Sequence, residues 1–525
     1  MIRIRQVKVL ATNNNLKDEI ARKIRIKSSD IKKIKIVKQS IDSRHKPYIY
    51  YVYEVDIDIN NEQKILNKNR SSDIFKSPVE DYNFKITGDL VLNNRPIIVG
   101  SGPAGLFCAY MLSLYGYKPL VIERGSDVDT RITKVSEFWN DNKLDSECNV
   151  QFGEGGAGTF SDGKLNTLIK DKNFRMKKVF ETFVECGAKE DIMYVNKPHI
   201  GTDILTSVVK NMRNKIIENG GDFRFNTKLT DIKYEDHKIK SIVVNDNEEI
   251  RCDCLVLAIG HSARDTFKML YDNNITMQPK PFAIGIRIQH PQQLINENQY
   301  GFNYDTCLPN ASYKLTHTCK NKRGVYTFCM CPGGYVVNSS SEEKMLSING
   351  MSYHARNSEN ANSAVIVTIT PKDFGSSPLD GIEYQRNLEK ITYQVGNGKI
   401  PIQLFKDFMD NEESKQLGTI KPIFKGEYKL SNLNLIFPNY IIESLKEGLV
   451  AFDKKIKGYA KSDAILAAIE SRTSSPVRIL RDEYFESNIK GIYPAGEGAG
   501  YAGGITSSAI DGIKIAEAIM SKYRR

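Results

Sequence analysis

Residues 95–125 read RPIIVGSGPAGLFCAYMLSLYGYKPLVIERG, and this stretch restricts the possible folds more than any other. A short apolar run leads into Gly100, Ser101, Gly102, Pro103, Ala104 and Gly105. A segment rich in alanine and leucine follows, then a second apolar run that ends on Glu123, 18 residues after Gly105. Each position suits the binding of a dinucleotide. Gly100 permits a tight turn out of a strand, Gly102 lets backbone approach a pyrophosphate, and Gly105 lets helix and strand pack closely. The pyrophosphate then rests on free N–H groups at a helix N-terminus. Glu123 lies where a carboxylate can bond ribose hydroxyls. A membrane span is not expected, because four glycines (100, 102, 105 and 116) and Pro103 interrupt the apolar run.

At 525 residues the chain predicts two or three domains, and 40% hydrophobic with 26% charged residues describes a globular protein. The first residues alternate charged and apolar side chains without an apolar core, which argues against a secretory signal. Nine cysteines, an odd number, fit reduced thiols better than a disulfide framework, so a cytoplasmic location is expected. Residues 1–50 hold 14 Lys/Arg against 4 Asp/Glu, so most of the net charge of +11 lies there. A solvated basic face is the expected reading of that charge, with nucleic-acid binding as the alternative.

Residues 1–90 read as a small basic α+β domain with a β-α-β-β pattern. Its strands are expected at 1–11, 31–40 and 48–59, its helix at 16–26, and a polar linker at 60–78. A Rossmann-like α/β unit is expected over 91–275. A strand-rich substrate domain is expected over 276–448, inserted before the second part of the α/β unit at 449–525. Residues 448–469 read as helical, and 491–520 as another strand–glycine–helix unit.

Further blocks join the opening motif: NVQFGEGGAGTFSDGKL (149–165), LVLAIG (255–260), YTFCMCPGGYVVNSSSE (326–342), NGMSYHARNSENANSA (349–364), ESRTSSPVRI (470–479) and PAGEGAGYAGGITSSAIDG (494–512). Together they resemble the FAD flavoproteins of the glutathione-reductase type, and within them the FAD-utilising dehydrogenases. SIDSR (40–44) also looks like that family. The resemblance implies FAD held by Gly100, Gly102, Pro103, Ala104, Gly105 and Glu123; the cofactor is expected to be non-covalent, because no histidine or cysteine except Cys108 lies within either FAD motif. It extends the cofactor site to Arg124, Arg131, Gly155, Gly156 and Gly260, and to Gly496, Glu497, Gly503, Gly504 and Ile505 near the C-terminus. The superfamily's acid after Ala-Gly is Asp, whereas this chain carries Glu497, one methylene longer. The resemblance names no substrate.

Other residues have two readings. Cys329 and Cys331 would share one face of a strand and would need a strained two-apart disulfide to act as a redox pair. Cys252 and Cys254 read as core. No His or Cys cluster completes four ligands beside either pair, so no metal is expected. Lys164 is either a cation near the flavin or a surface turn. His290, His317 and His354 are each more readily structural than acid–base groups. Glu470, Arg472 and Arg478 suggest internal ion pairs ahead of an anion clamp.

The expected function is an FAD-dependent oxidoreductase that transfers hydride or electrons to or from a small-molecule substrate. A second glycine motif is absent, so NAD(P)H is expected only as a transiently docking reductant. A nucleic-acid-directed flavoprotein and a non-catalytic FAD redox sensor are the alternatives. The N-terminal domain is expected to be separable from flavin binding.

Overall fold

Five short parallel strands form the sheet on which the glycine motif is built. A computed structural model describes residues 1–13, 15–69 and 71–524. The strand order is Ile492–Pro494, Leu255–Leu257, Ile97–Val99, Leu120–Ile122 and Asp222–Arg224. Every residue of the first four strands is buried, as expected for parallel strands covered on both faces. The chain leaves Ile97–Val99 towards Leu120–Ile122 on one side and later adds Leu255–Leu257 on the other. The strand order therefore switches at the glycine motif, where open α/β sheets bind ligands beyond their strands' C-terminal ends.

Helices Pro103–Leu114, Thr202–Glu218 and Ile505–Lys522 cover one face through Phe107, Met111, Val208, Met212, Ile513 and Ile519. Small residues set their spacing. A Cβ on Gly105 would lie 1.9 Å from the Gly100 carbonyl oxygen, and one on Gly512 would lie 2.1 Å from that of Ala104. The other face carries a three-stranded antiparallel layer of Leu229–Glu235, Lys238–Val244 and Glu248–Arg251, packed through Ile232, Ile242 and Phe267. The fold is α/β, with this Rossmann-like unit joined to a strand-rich one.

The strand-rich unit is a seven-stranded sheet ordered Thr316–Thr318, Gly324–Cys331, Asn360–Ile369, Phe282–Pro291, Ile465–Glu470, Ile400–Leu404 and Tyr428–Leu430. Helix Asn439–Asp453 lays Ile441, Leu445, Leu449 and Phe452 on it. The expected division at 448/449 is corrected here. Ile465–Glu470 pairs on both sides within this sheet, so the strand-rich unit continues past 448. The expected helix over 448–469 is likewise corrected: only its first part is helical, and ILAAIE is a fully buried strand.

The N-terminal sheet is ordered Ile31–Asp42, Tyr50–Ile59, Ile2–Leu10 and Ile74–Lys76, with helix Leu16–Ile24 closing its core. The linker expected at 60–78 is corrected, because that stretch supplies helix Glu62–Lys68 and the fourth strand. Residues beyond it belong with the Rossmann-like unit rather than to a 1–90 domain. Tyr82 donates to Glu517 at 3.0 Å, and Leu90–Val91 pairs with Tyr523–Arg524. The N-terminal unit is also docked on the rest of the chain. Ile49 is buried in the core of the strand-rich unit, and Gln39 exchanges backbone hydrogen bonds with Tyr194 and Asn196. Among the described residues, no helix is long and apolar enough to cross a membrane. All nine cysteines are free thiols.

Candidate functional site

A cavity of about 350 Å³ opens at the switch point. The Rossmann-like unit borders it with Gly100, Gly102, Pro103, Ala104, Glu123 and Arg124, and the C-terminal segment borders it with Glu497, Gly503, Gly504 and Ile505. Gly156 and Gly260 also line it. Helices Pro103–Leu114 and Ile505–Lys522 both begin at this wall, so two positive dipole ends meet one space. The strand-rich unit supplies the rest of the lining with Phe328, Cys329, Asn349, Glu470, Arg472 and Thr473.

Three lining glycines are not explained by protein packing. A Cβ at Gly260 or Gly503 would meet nothing within 4 Å, and one at Gly102 would meet only the Gly156 Cα, at 3.8 Å. Bare backbone beside open space suits close approach by a ligand. The residues present therefore fit a dinucleotide cofactor lying across both helix ends.

Glu123 departs from the expected role. Its Oε2 accepts from the Ser101 amide at 2.9 Å and hydroxyl at 2.7 Å, and its Oε1 accepts from the Gly125 and Gly153 amides at 3.0 Å each. A carboxylate offers about four lone-pair sites, so these four donors fill it. A ribose hydroxyl reaches Glu123 only by displacing Ser101 Oγ. Arg124 borders the cavity while donating to Glu147 and, with both terminal nitrogens, to Asp265, and its guanidinium stacks 4.0 Å from the Phe152 ring centroid.

Four of the expected residues stand behind the wall rather than in it. Arg131 is fully buried and donates to the carbonyls of Asn149, Val150, Gly153, Glu154 and Gly156. Its expected cofactor contact is corrected to shaping the 149–156 loop. Gly155 lies against Thr159 and Val209, and Gly105 against Gly100, in each case for packing. Gly496 takes φ +72 and donates its amide to Asp511 at 2.7 Å, which fixes the turn before Glu497.

His261 follows Gly260 directly and was not singled out from sequence. It is buried at the cavity wall with Nδ1 3.1 Å from Glu497 Oε2, yet neither ring nitrogen has a well-directed hydrogen bond. The signal available in sequence was its position, a polar residue on the glycine turn after a buried strand. The three histidines that were singled out lie elsewhere. His290 bonds the Tyr459 carbonyl at 2.6 Å, and burial pulls its pKa down to about 4, so it is a neutral core residue. His354 bonds the Ile200 carbonyl at 2.8 Å and stacks on His199. His317 pairs with Glu447 at 2.9 Å; with Cys319 these two bring three metal-type ligand atoms within 4.8 Å of one another, away from the cavity lining.

Lys164 does border the cavity. It donates to the Met330 carbonyl and lies 3.5 Å from the buried Asp162; burial opposes its charge, but Asp162 together with Cys331 and Cys329 outweighs this and raises its pKa. Glu470 and Arg472 are both ion-paired and lining. Glu470 accepts from Arg287 at 2.7 Å, and Arg472 grips the fully buried Glu389, to which Arg264 also donates. Arg478 is held outside this network, with its guanidinium on the Tyr501 ring.

Residues 98–153 match the NAD(P)-binding Rossmann-like domain, 281–473 match the C-terminal-domain-like family of FAD-dependent proteins, and 1–58 match a domain of unknown function. A protein of Clostridium beijerinckii, described only as uncharacterized, is 50% identical over 97% of this chain and 96% of its own length. Among solved structures, CtdE in complex with FAD is similar at TM-score 0.32 and 12% identity, covering 82% of this chain and 84% of that one. Glycine oxidase from Bacillus cereus gives TM-score 0.34 and 11% identity, covering 81% and 94%.

Proposed function

The chain belongs to the family of its Clostridium beijerinckii relative, and on that premise we propose a dehydrogenase of the glutathione-reductase-like kind. FAD is its cofactor and oxidoreduction its class. The observation that carries the finer reading is the shared cavity, in which a dinucleotide cradle and a polar chamber of the strand-rich unit face one another.

Gly102, Pro103 and Ala104 would hold the pyrophosphate on the helix N-terminus, Arg124 would flank the adenosine end, and Glu497 would meet the ribityl hydroxyls. FAD, when bound, supplies the hydride-transfer chemistry. The chain's own work is positioning. Gly503, Gly504 and Ile505 present a helix end that favours negative charge, and Lys164 adds a cation to the same lining. Asn349, Thr473 and Arg472 would orient a small-molecule substrate, and His261 offers an unpaired ring nitrogen for holding a proton. NAD(P)H serves, in this reading, as a transiently docking reductant. The FAD-binding body is assembled from the first Rossmann-like part and the segment after the strand-rich insertion.

Anaerobic mixing of flavin-loaded protein with NADH, NADPH and a panel of metabolites tests this reading. Bleaching of the flavin by one donor, with reoxidation by an acceptor, is the expected result. A loaded flavin that no donor reduces would favour the redox-sensor alternative.

A further inference from the structure

Strand Gly324–Cys331 follows its neighbour Asn360–Ile369 regularly as far as Phe328, opposite Ala364, and pairing resumes only at Cys331, opposite Asn362. Cys329 occupies the resulting bulge at φ +43, a left-handed conformation that side-chain-bearing residues adopt rarely and that gathers at functional sites. Bulges re-aim side chains beside active sites. Here the distortion turns Cys329 to the cavity wall while Cys331 stays buried beneath it.

The Cys331 side chain turns back along the strand onto Cys329. On a regular strand, residues two apart are separated by about 6.7 Å of rise. In the bulge, the Cys331 thiol instead donates to the Cys329 carbonyl at 3.3 Å. Two cations clasp this turn from either side. Lys164 donates to the carbonyl of the intervening Met330, and Arg287 donates to the Cys329 carbonyl at 3.2 Å while pairing with Glu470.

We propose that Cys329 and Cys331 form a second two-electron centre that exchanges a dithiol for a disulfide against the flavin. Cys329 is the cavity-facing nucleophile and Cys331 the resolving thiol. The inference rests on the FAD reading of the cavity. In the oxidising direction both S–H bonds break and one Sγ–Sγ bond forms. Two electrons and one proton pass to the flavin, and the second proton leaves to solvent. The reverse step returns both electrons and a proton to the sulfurs, with one further proton taken from solvent.

The electrostatics are arranged accordingly. The hydrogen bond from Cys331, with Lys164 and Arg287, holds the Cys329 thiol well below its usual range against the effect of burial. The same contact, together with burial, pushes Cys331 well above that range. A low-pKa nucleophile beside a protonated partner is the asymmetry that thiol exchange uses. Cys252 and Cys254 share the two-apart spacing but do not line the cavity, and burial drives the Cys252 pKa up to about 12 and that of Cys254 well above its usual range.

The test uses the full-length flavin-loaded protein. Trypsin releases residues 324–344, which contain Cys329 and Cys331 and no other cysteine. After anaerobic equilibration with oxidised FAD and alkylation in denaturant, the proposal expects this peptide unalkylated and about 2 Da lighter than its dithiol form. After dithionite reduction it should carry two alkyl groups. Dithionite titration should consume about four electrons per flavin in the oxidised wild type and about two in Cys329→Ser and Cys331→Ser, with flavin content unchanged. Full alkylation of the peptide under oxidising conditions, or a two-electron wild-type titration, would overturn the dithiol centre while leaving the FAD reading intact. Protein without a flavin spectrum would overturn both.

Discussion

Gly102 and Gly156 sit back to back at the mouth of the cavity. A Cβ on Gly156 would lie 3.0 Å from the Gly102 Cα, whereas one on Gly102 would meet only the Gly156 Cα, at 3.8 Å. Gly102 also holds φ −71, which any residue adopts. Gly102→Val should therefore fold with little change in melting temperature. Its side chain would fill the space where the pyrophosphate approaches, so FAD affinity should fall more than tenfold, over about 1.4 kcal/mol. Gly156→Ala, at φ +64, should instead lower stability itself. Titration with FAD and thermal melts of both variants separate the two effects.

Arg131 holds the 149–156 loop by donating to five backbone carbonyls from a fully buried position. Arg131→Ala leaves those acceptors without their donor and should cost about 3 kcal/mol or more. Arg131→Lys should rescue little of this, because an ammonium on a flexible stem cannot reproduce the planar fork. Denaturant melts measure both, and a wild-type midpoint for Arg131→Ala would show that the loop stands without it.

Glu154 gives a pH dependence of definite sign. Burial lifts its pKa from 4.5 to about 7, against the opposing charge of Arg213. Between those values the folded protein retains a proton that the unfolded chain has released, so stability falls as pH rises through this window. Glu154→Gln removes that loss. It should stabilise the protein at pH 8 by on the order of 1–3 kcal/mol, raising the melting temperature there, and leave it nearly unchanged at pH 5. An equal effect at both pH values would assign the change to Arg213 losing its partner.

Among the described residues, the N-terminal unit contributes no side chain to the cavity lining, yet Ile49 is buried in the core of the strand-rich unit with Tyr51 packed against it. Deleting residues 1–78 should bare this apolar seat, lowering the melting temperature and promoting aggregation. The soluble fraction should keep its flavin. Flavin content and light scattering of the truncated protein check this, and a soluble product as stable as the full chain would make the docking incidental.

The strand–turn–helix around Gly100 and Gly105 was legible because its geometry is local: glycine spacing and one acid at a fixed distance suffice. Ile465–Glu470 was not. The five apolar residues of ILAAIE carry no period, and only pairing with Phe282–Pro291 and Ile400–Leu404 makes this stretch a strand. Polar composition likewise hid the helix and edge strand within 60–78, which bury little surface of their own. Arg131 shows a further limit, since a guanidinium that grips carbonyls and one that grips a phosphate look alike in sequence. His261 meets Glu497 only because strands Leu255–Leu257 and Ile492–Pro494 are neighbours in the sheet.

The central claim is that one cavity, assembled from both ends of the Rossmann-like unit, holds FAD without a covalent bond. The direct measurement is the visible spectrum of the purified chain before and after incubation with excess FAD, followed by denaturation and filtration. The account predicts a yellow protein with about one flavin per chain, all of it released into the filtrate. A chain that stays colourless in excess FAD, or a flavin that remains attached after denaturation, would contradict it.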